Sequence, residues 1–447
     1  MNQPTADRLA RALAASPTRR ATATALATGL AALPLLGSAL LPDAAEAKRQ
    51  RRQQRDTQAE KKKKKKKKAT YCVNGQTTQV SLSKKSKKKL KKRGAVPGAC
   101  AACPATCPAG HLCCGSACVA GAWANQTVFG SGPASGGSAF SMPYGVRIAP
   151  DGRTALVADS TNNRISVWTR PDPASTAWAN HTTFGTTGSG TSNLQFPVGV
   201  GVSTDALTAL VADSNNARIA VWTRPSATST VWSNHSIIGG VRGSGPLQFN
   251  YPADVCLTPD GRTAIIADRN NHRISVWTRA SATSSVWQHQ YVFGSAGSAP
   301  TQLQAPYGVA VTADGLLVAI ADSNNHRVSI WTRISATAAF THQTTFGGGG
   351  FGDAPNQFKT PAKIALSSDA LTAYVADSYN NRVSIWTRPA AGSIVWTPLT
   401  TAGSGPGSGA ANLNNPLGVA MAAETQTLLV ADSANNRISV WAAACPA

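Results

Sequence analysis

Three things are scarce in this chain. Acidic residues are few, 20 Asp and Glu against 43 Lys and Arg, which leaves a net charge of +23. Helical periodicity is missing from residues 119–447, and that excludes helix bundles and alternating α/β folds for this part of the chain. Histidine is limited to seven residues. Four of them, His181, His235, His289 and His342, recur at one place in a repeated unit, so no group of histidines and carboxylates converges on a metal.

The acid deficit is uneven. Residues 119–447 hold 18 Lys and Arg against 15 Asp and Glu, a net charge of only +3, whereas residues 1–118 carry the other +20. Lys48-Arg49-Gln50-Arg51-Arg52, the unbroken run Lys61 to Lys68, and Lys84 to Arg93 supply most of it. Blocks of like charge repel, stay extended and bind polyanions through counterion release. Residues 48–99 therefore read as a Lys-rich disordered linker, either a tether to polyanions or a solvated spacer. The remainder is not expected to bind nucleic acid sequence-specifically.

What fills residues 119–447 is repetition. Asp159-Ser160-Thr161-Asn162-Asn163-Arg164-Ile165-Ser166-Val167-Trp168 recurs with small edits from Asp213, Asp268, Asp322, Asp377 and Asp432, at spacings of 54 or 55 residues. Each unit opens on a proline (Pro143, Pro197, Pro252, Pro306, Pro361, Pro416) and continues as an apolar strand, a turn such as Asp151-Gly152, and a second apolar strand ending on the aspartate. An Asn-Asn turn, an alternating third strand and a more polar fourth strand complete it. Six such units suit radial repetition, which leaves only short protected edges. The expected fold is all-β, a six-bladed β-propeller of four-stranded blades. The last unit stops short of a fourth strand, while Trp123 stands 36 residues before Asp159, the spacing of the other fourth-strand aromatics. An N-terminal strand is thus expected to close the ring.

The run Pro-x-Gly-Val followed by Val-Ala-Asp-Ser-x-Asn-x-Arg-Ile-x-Val-Trp resembles the NHL repeat over residues 119–447. The resemblance implies the propeller fold. It leaves the role open, because such propellers include binders of RNA, of proteins and of cell-surface ligands, and relatives with lyase or lactonase activity that hold a divalent metal in the channel.

Residues 1–47 read as a twin-arginine-like signal peptide. Arg19-Arg20 precede an uncharged stretch from Ala21 to Pro42, and Ala45-Glu46-Ala47 offers a cleavage site. An uncleaved anchor is the competing reading; cleavage would leave no transmembrane domain. The expected location is secreted or at the cell surface by bacterial-type export. Cysteine agrees: Cys100, Cys103, Cys107, Cys113, Cys114 and Cys118 crowd into residues 100–118, with Cys72 before them and Cys445 near the end. So short a segment has no hydrophobic core, and a disulfide knot orders it, with a zinc site as the alternative. Cys445 is expected to bridge to one of Cys100 to Cys118. Cys256, inside a first strand, reads as a lone packed thiol.

Residues repeated in every unit and residues unique to one carry different meanings. Asp159, Asp213, Asp268, Asp322, Asp377 and Asp432, with Arg164, Arg218, Arg273, Arg327, Arg382 and Arg437, occur once per blade and are read as turn chemistry. Ligand-binding candidates lie where the copies disagree. Arg269, His272, His326 and Tyr379 vary the Asn-Asn turns, on the face shared with the variable loops between blades. Asp254 and Lys363 replace a glycine of the channel-lining strand. The leading expectation is a non-catalytic binding or scaffold protein with a protein or glycan ligand and no cofactor; the alternative is a propeller lyase or lactonase with a divalent metal in the channel.

Overall fold

A computed structural model describes residues 68–73, 76–81, 96–97, 111–114 and 117–447, except 131, 349, 423–425 and 445–447. Six four-stranded antiparallel sheets make up residues 122–444. In blade 1 the strands are Pro143–Ile148, Thr154–Asp159, Arg164–Thr169 and Ala179–Phe184, innermost to outermost. Blades 2 to 5 repeat the order from Pro197, Pro252, Pro306 and Pro361.

Burial explains the residue types of each strand. The second strand, Thr-Ala-Leu-Val-Ala-Asp in blade 1, is buried at all six positions because the neighbouring blades cover both its faces. A strand with two covered faces reads as a continuous apolar run, as it does here. The outermost strand alternates exposed and half-buried residues, since only one face meets protein. Cores form between blades: Leu156, Ile165 and Val167 pack with Val200, Val211 and Trp222. Innermost strands approach so closely that a Cβ on Gly145 would lie 2.7 Å from the Val198 carbonyl oxygen, and one on Gly199 2.7 Å from that of Ala253. Glycine is required there for space rather than for its backbone freedom.

Blade 6 contributes Pro416–Ala422, Thr427–Asp432 and Arg437–Ala444, and its fourth strand is Ala122–Phe129. That strand runs antiparallel to the third, with Phe129 opposite Ile438 and Ala122 opposite Ala444. The closure expected from the spacing of Trp123 is what the molecule has. Phe129 joins Val440 and Leu429 of blade 6 and Val146 and Val157 of blade 1 in one core.

Part of the segment read as a disordered linker carries strands. Lys68–Val73 pairs antiparallel with Gln76–Ser81 and with Val96–Pro97. The β-branched residues Thr70, Val73, Thr77, Thr78 and Val80 favour an extended backbone there, which a reading dominated by the flanking lysines overlooks. In the Cys-rich segment, His111–Cys114 pairs with Ala117–Ala120 and puts Cys113 opposite Cys118 in register. The signal peptide, Cys100, Cys103, Cys107 and Cys445, and most of the lysine runs lie outside the described residues. Among the described residues, no helix is long and apolar enough to cross a membrane.

Candidate functional site

The repeated aspartate ties two loops together. Asp159 is fully buried. Its Oδ2 accepts from Arg164 Nε at 2.8 Å and from Asn162 Nδ2 at 2.9 Å, while its Oδ1 accepts the Ser141 amide at 2.7 Å. The arginine turns its other nitrogens to the carbonyls of Ser135, Gly136 and Ala139. The ion pair recurs in all six blades at 2.7–2.8 Å. Burial pushes the Asp159 carboxyl up, and its three hydrogen-bond donors pull it back. Sequence reasoning placed this chemistry within the turn. Its larger effect is to clamp the loop arriving from the preceding blade, which puts both loop sets on one face.

Blade-to-blade latches surround that face. Ser160, Ser214, Ser323, Ser378 and Ser433, each just after the aspartate, donate to the carbonyl of the proline that opens the next blade at 2.5–2.8 Å. The residue before each of those prolines has positive φ in every blade, from 49° at Asn415 to 58° at Tyr251 and Thr360. Five of these amides donate to a turn side chain of the preceding blade: Asn163, Asn381 and Asn436 through Oδ1, His272 and His326 through Nδ1 at 3.0 and 3.2 Å. The two histidines thus act as acceptors where other blades use asparagine, which requires an unprotonated Nδ1. Burial lowers the His326 pKa and keeps it in that state.

Blade 3 breaks the serine pattern with Arg269. Its guanidinium lies 5.7 Å from the ring centre of Tyr251 and 5.5 Å from that of Tyr307. One nitrogen, Nη1, donates to Asn270 at 3.1 Å, while Nε is buried without a partner. Phe196 extends the cluster, 5.3 Å from Tyr144 and 6.5 Å from Tyr251. Arg269, Tyr144, Phe196, Tyr251 and Tyr307 are all half-buried, and burial pushes the Tyr251 phenol up to about 12, so it stays a neutral donor. The rings come from blades 1 and 4 and from the strand entries of blades 2 and 3, and the arginine from the blade 3 turn. Tyr379 is 61% exposed in the blade 5 turn. The residues flanking the prolines were not singled out from sequence; the aromatic residues beside them, Tyr144, Phe196, Tyr251 and Tyr307, against Ala305, Thr360 and Ala362 in other copies, were the available signal.

Beneath the cluster Asp254 and Lys363 meet. Lys363 Nζ is 3.0 Å from Asp254 Oδ1, and the two residues are 4% and 2% exposed. Asp254 Oδ2 accepts the Val309 amide at 3.0 Å, and the ammonium also donates to the Ala253 carbonyl. The pair therefore braces blades 3, 4 and 5. Lys363 also sits 5.3 Å from the Tyr307 ring, which joins it to the arginine above. Burial pulls the Lys363 ammonium down to about 8 against the opposing pull of Asp254. Cys256, the free buried thiol, lies farther along the channel; burial pushes its pKa up to about 12, so it is a poor nucleophile at neutral pH.

Residues 249–277 and 303–331, the first three strands of blades 3 and 4, match the NHL repeat family. No curated protein matches the chain. Among solved structures, a functionally unknown protein from Desulfotomaculum acetoxidans DSM 771 is similar, with 13% identity over 65% of this chain and 79% of that one and a TM-score of 0.45. The repeat is thus matched in two blades, the same clamp stands in all six, and the chain folds as a six-bladed β-propeller.

Proposed function

We propose that this is an exported, non-catalytic binding or scaffold protein that recognises a protein or glycan at the channel mouth bordered by the Asn-Asn turns. The carrying observation is Arg269. Five blades keep a serine latch at this position, and blade 3 replaces it with a guanidinium between two tyrosine rings that retains an unmade hydrogen bond. Half-buried aromatic faces around a cation accept a sugar face or an apolar side chain, and the arginine supplies donors to its hydroxyl or carboxylate groups. The basic N-terminal region would hold the propeller near an anionic surface.

Reverting the position to the repeat tests this. Arg269→Ser restores the serine of the other blades, so folding should be preserved. On a glycan and protein array probed with tail-deleted protein, ligands of the parent should lose at least about ten-fold in affinity in the variant, about 1.4 kcal/mol. Unchanged binding by Arg269→Ser would overturn the assignment.

The metal-dependent lyase or lactonase reading would draw on Asp254, both of whose oxygens are already engaged. Metal analysis of the purified protein with Asp254→Ala as control decides it: stoichiometric metal lost in the variant favours the enzyme.

A further inference from the structure

The opposite end of the channel holds a second feature, independent of the mouth. A cavity of about 150 Å³ is lined by paired residues from the ends of all six innermost strands. Its walls are apolar or small, as at Gly201, Cys256, Ala310, Ala365 and Ala420. Arg147 is the one charged residue in that lining. It occupies the column that the other blades fill with those five residues. Its Nε makes one long contact, 3.4 Å to the Val200 carbonyl, and its two terminal nitrogens have no protein partner among the described residues.

Charge in the channel does not balance. Lys363 and Asp254 neutralise each other, and the Asp254 oxygens contact Lys363 and the Val309 amide rather than Arg147. The guanidinium is therefore a half-exposed cation with no carboxylate partner, facing a chamber of small side chains and open to an incoming anion. Each innermost strand pairs on one side only, so the channel is bordered by strand edges whose main-chain N–H groups are further anion donors. A cavity of this size holds a guest of a few heavy atoms, comparable to benzene, and a guanidinium fork matches a carboxylate through two parallel hydrogen bonds.

We propose that the channel binds a small monocarboxylate, of the size of acetate, on Arg147. Alanine stands at this position in blades 4, 5 and 6, so Arg147→Ala suits the fold, and its melting curve without ligand verifies that. Acetate is titrated into the full chain and the variant, followed by ¹³C-acetate line broadening and thermal shift. The comparison cancels weak binding to the N-terminal lysines, which both proteins share.

The expected result is saturable acetate binding to the parent, at least about ten-fold weaker in Arg147→Ala, with chloride competing poorly because it cannot use the fork. Equal acetate responses in both proteins, or no saturable component, would overturn the proposal. Arg147→Lys keeps the charge and removes the fork. Its acetate affinity should fall, and undiminished affinity would refute recognition by the fork.

Discussion

At the scale of single residues, the repeat supplies its own controls. Trp168, Trp277, Trp331 and Trp386 each donate Nε1 to a serine two residues earlier at 2.8–2.9 Å. Blade 2 has Ala220 at that place, and Trp222 Nε1 is buried without a partner. Ala220→Ser should therefore stabilise the protein by about 1 kcal/mol, measured by chemical denaturation. The Asp254–Lys363 pair makes a sharper case. Asp254→Gly strands a buried ammonium and should cost about 3–5 kcal/mol, whereas the double reversion to glycine should come within about 1 kcal/mol of the parent or exceed it. The pair also sets a pH dependence. Folded Lys363 releases its proton at about 8 and the unfolded chain near 10.5. Between those values the unfolded state binds more protons, so stability should rise with pH across the window. Denaturation curves from pH 7 to 10 should show that rise in the parent and lack it in the double variant.

At the scale of elements, the decisive strand is Ala122–Phe129. Removing residues 119–130 leaves Arg437–Ala444 without its outer partner and opens the core around Phe129. The whole ring should then lose its cooperative melting transition; a truncated protein with the parent's melting temperature would show that closure adds nothing. Nonreducing peptide mapping should find Cys445 bridged to one of Cys100 to Cys118, and a free Cys445 contradicts that pairing. The strands and their closure were legible because periodic burial writes itself into residue type and because Trp123 keeps the spacing of its counterparts. Arg269 was legible too, as a departure from a column. What it meets was not: Tyr144, Tyr251 and Tyr307 are far apart in sequence and converge only because the ring closes. The reach of the aspartates was equally hidden, since their distant partners, such as the Ser141 amide, are main-chain groups with no signature in residue type.

At the scale of the whole molecule, charge and fold are separated along the chain. The +20 of residues 1–118 and the +3 of the propeller region predict salt-sensitive retention of the full chain on heparin and little retention once residues 48–99 are removed. Strong, salt-resistant retention of that shortened protein would place the polyanion site on the propeller instead. The closing strand also sets a timetable. Its partner, Arg437–Ala444, is synthesised only after the first five blades, as are Ser433 and Asn436, which bond Pro143 and Met142 some 290 residues away. Five blades can take shape while the chain is growing, but Ala122–Phe129 must wait, unpaired, until Arg437–Ala444 has followed them. A product that stops before Arg437 therefore has five blades and no ring, with Ala122–Phe129 and Thr427–Asp432 both left with open edges.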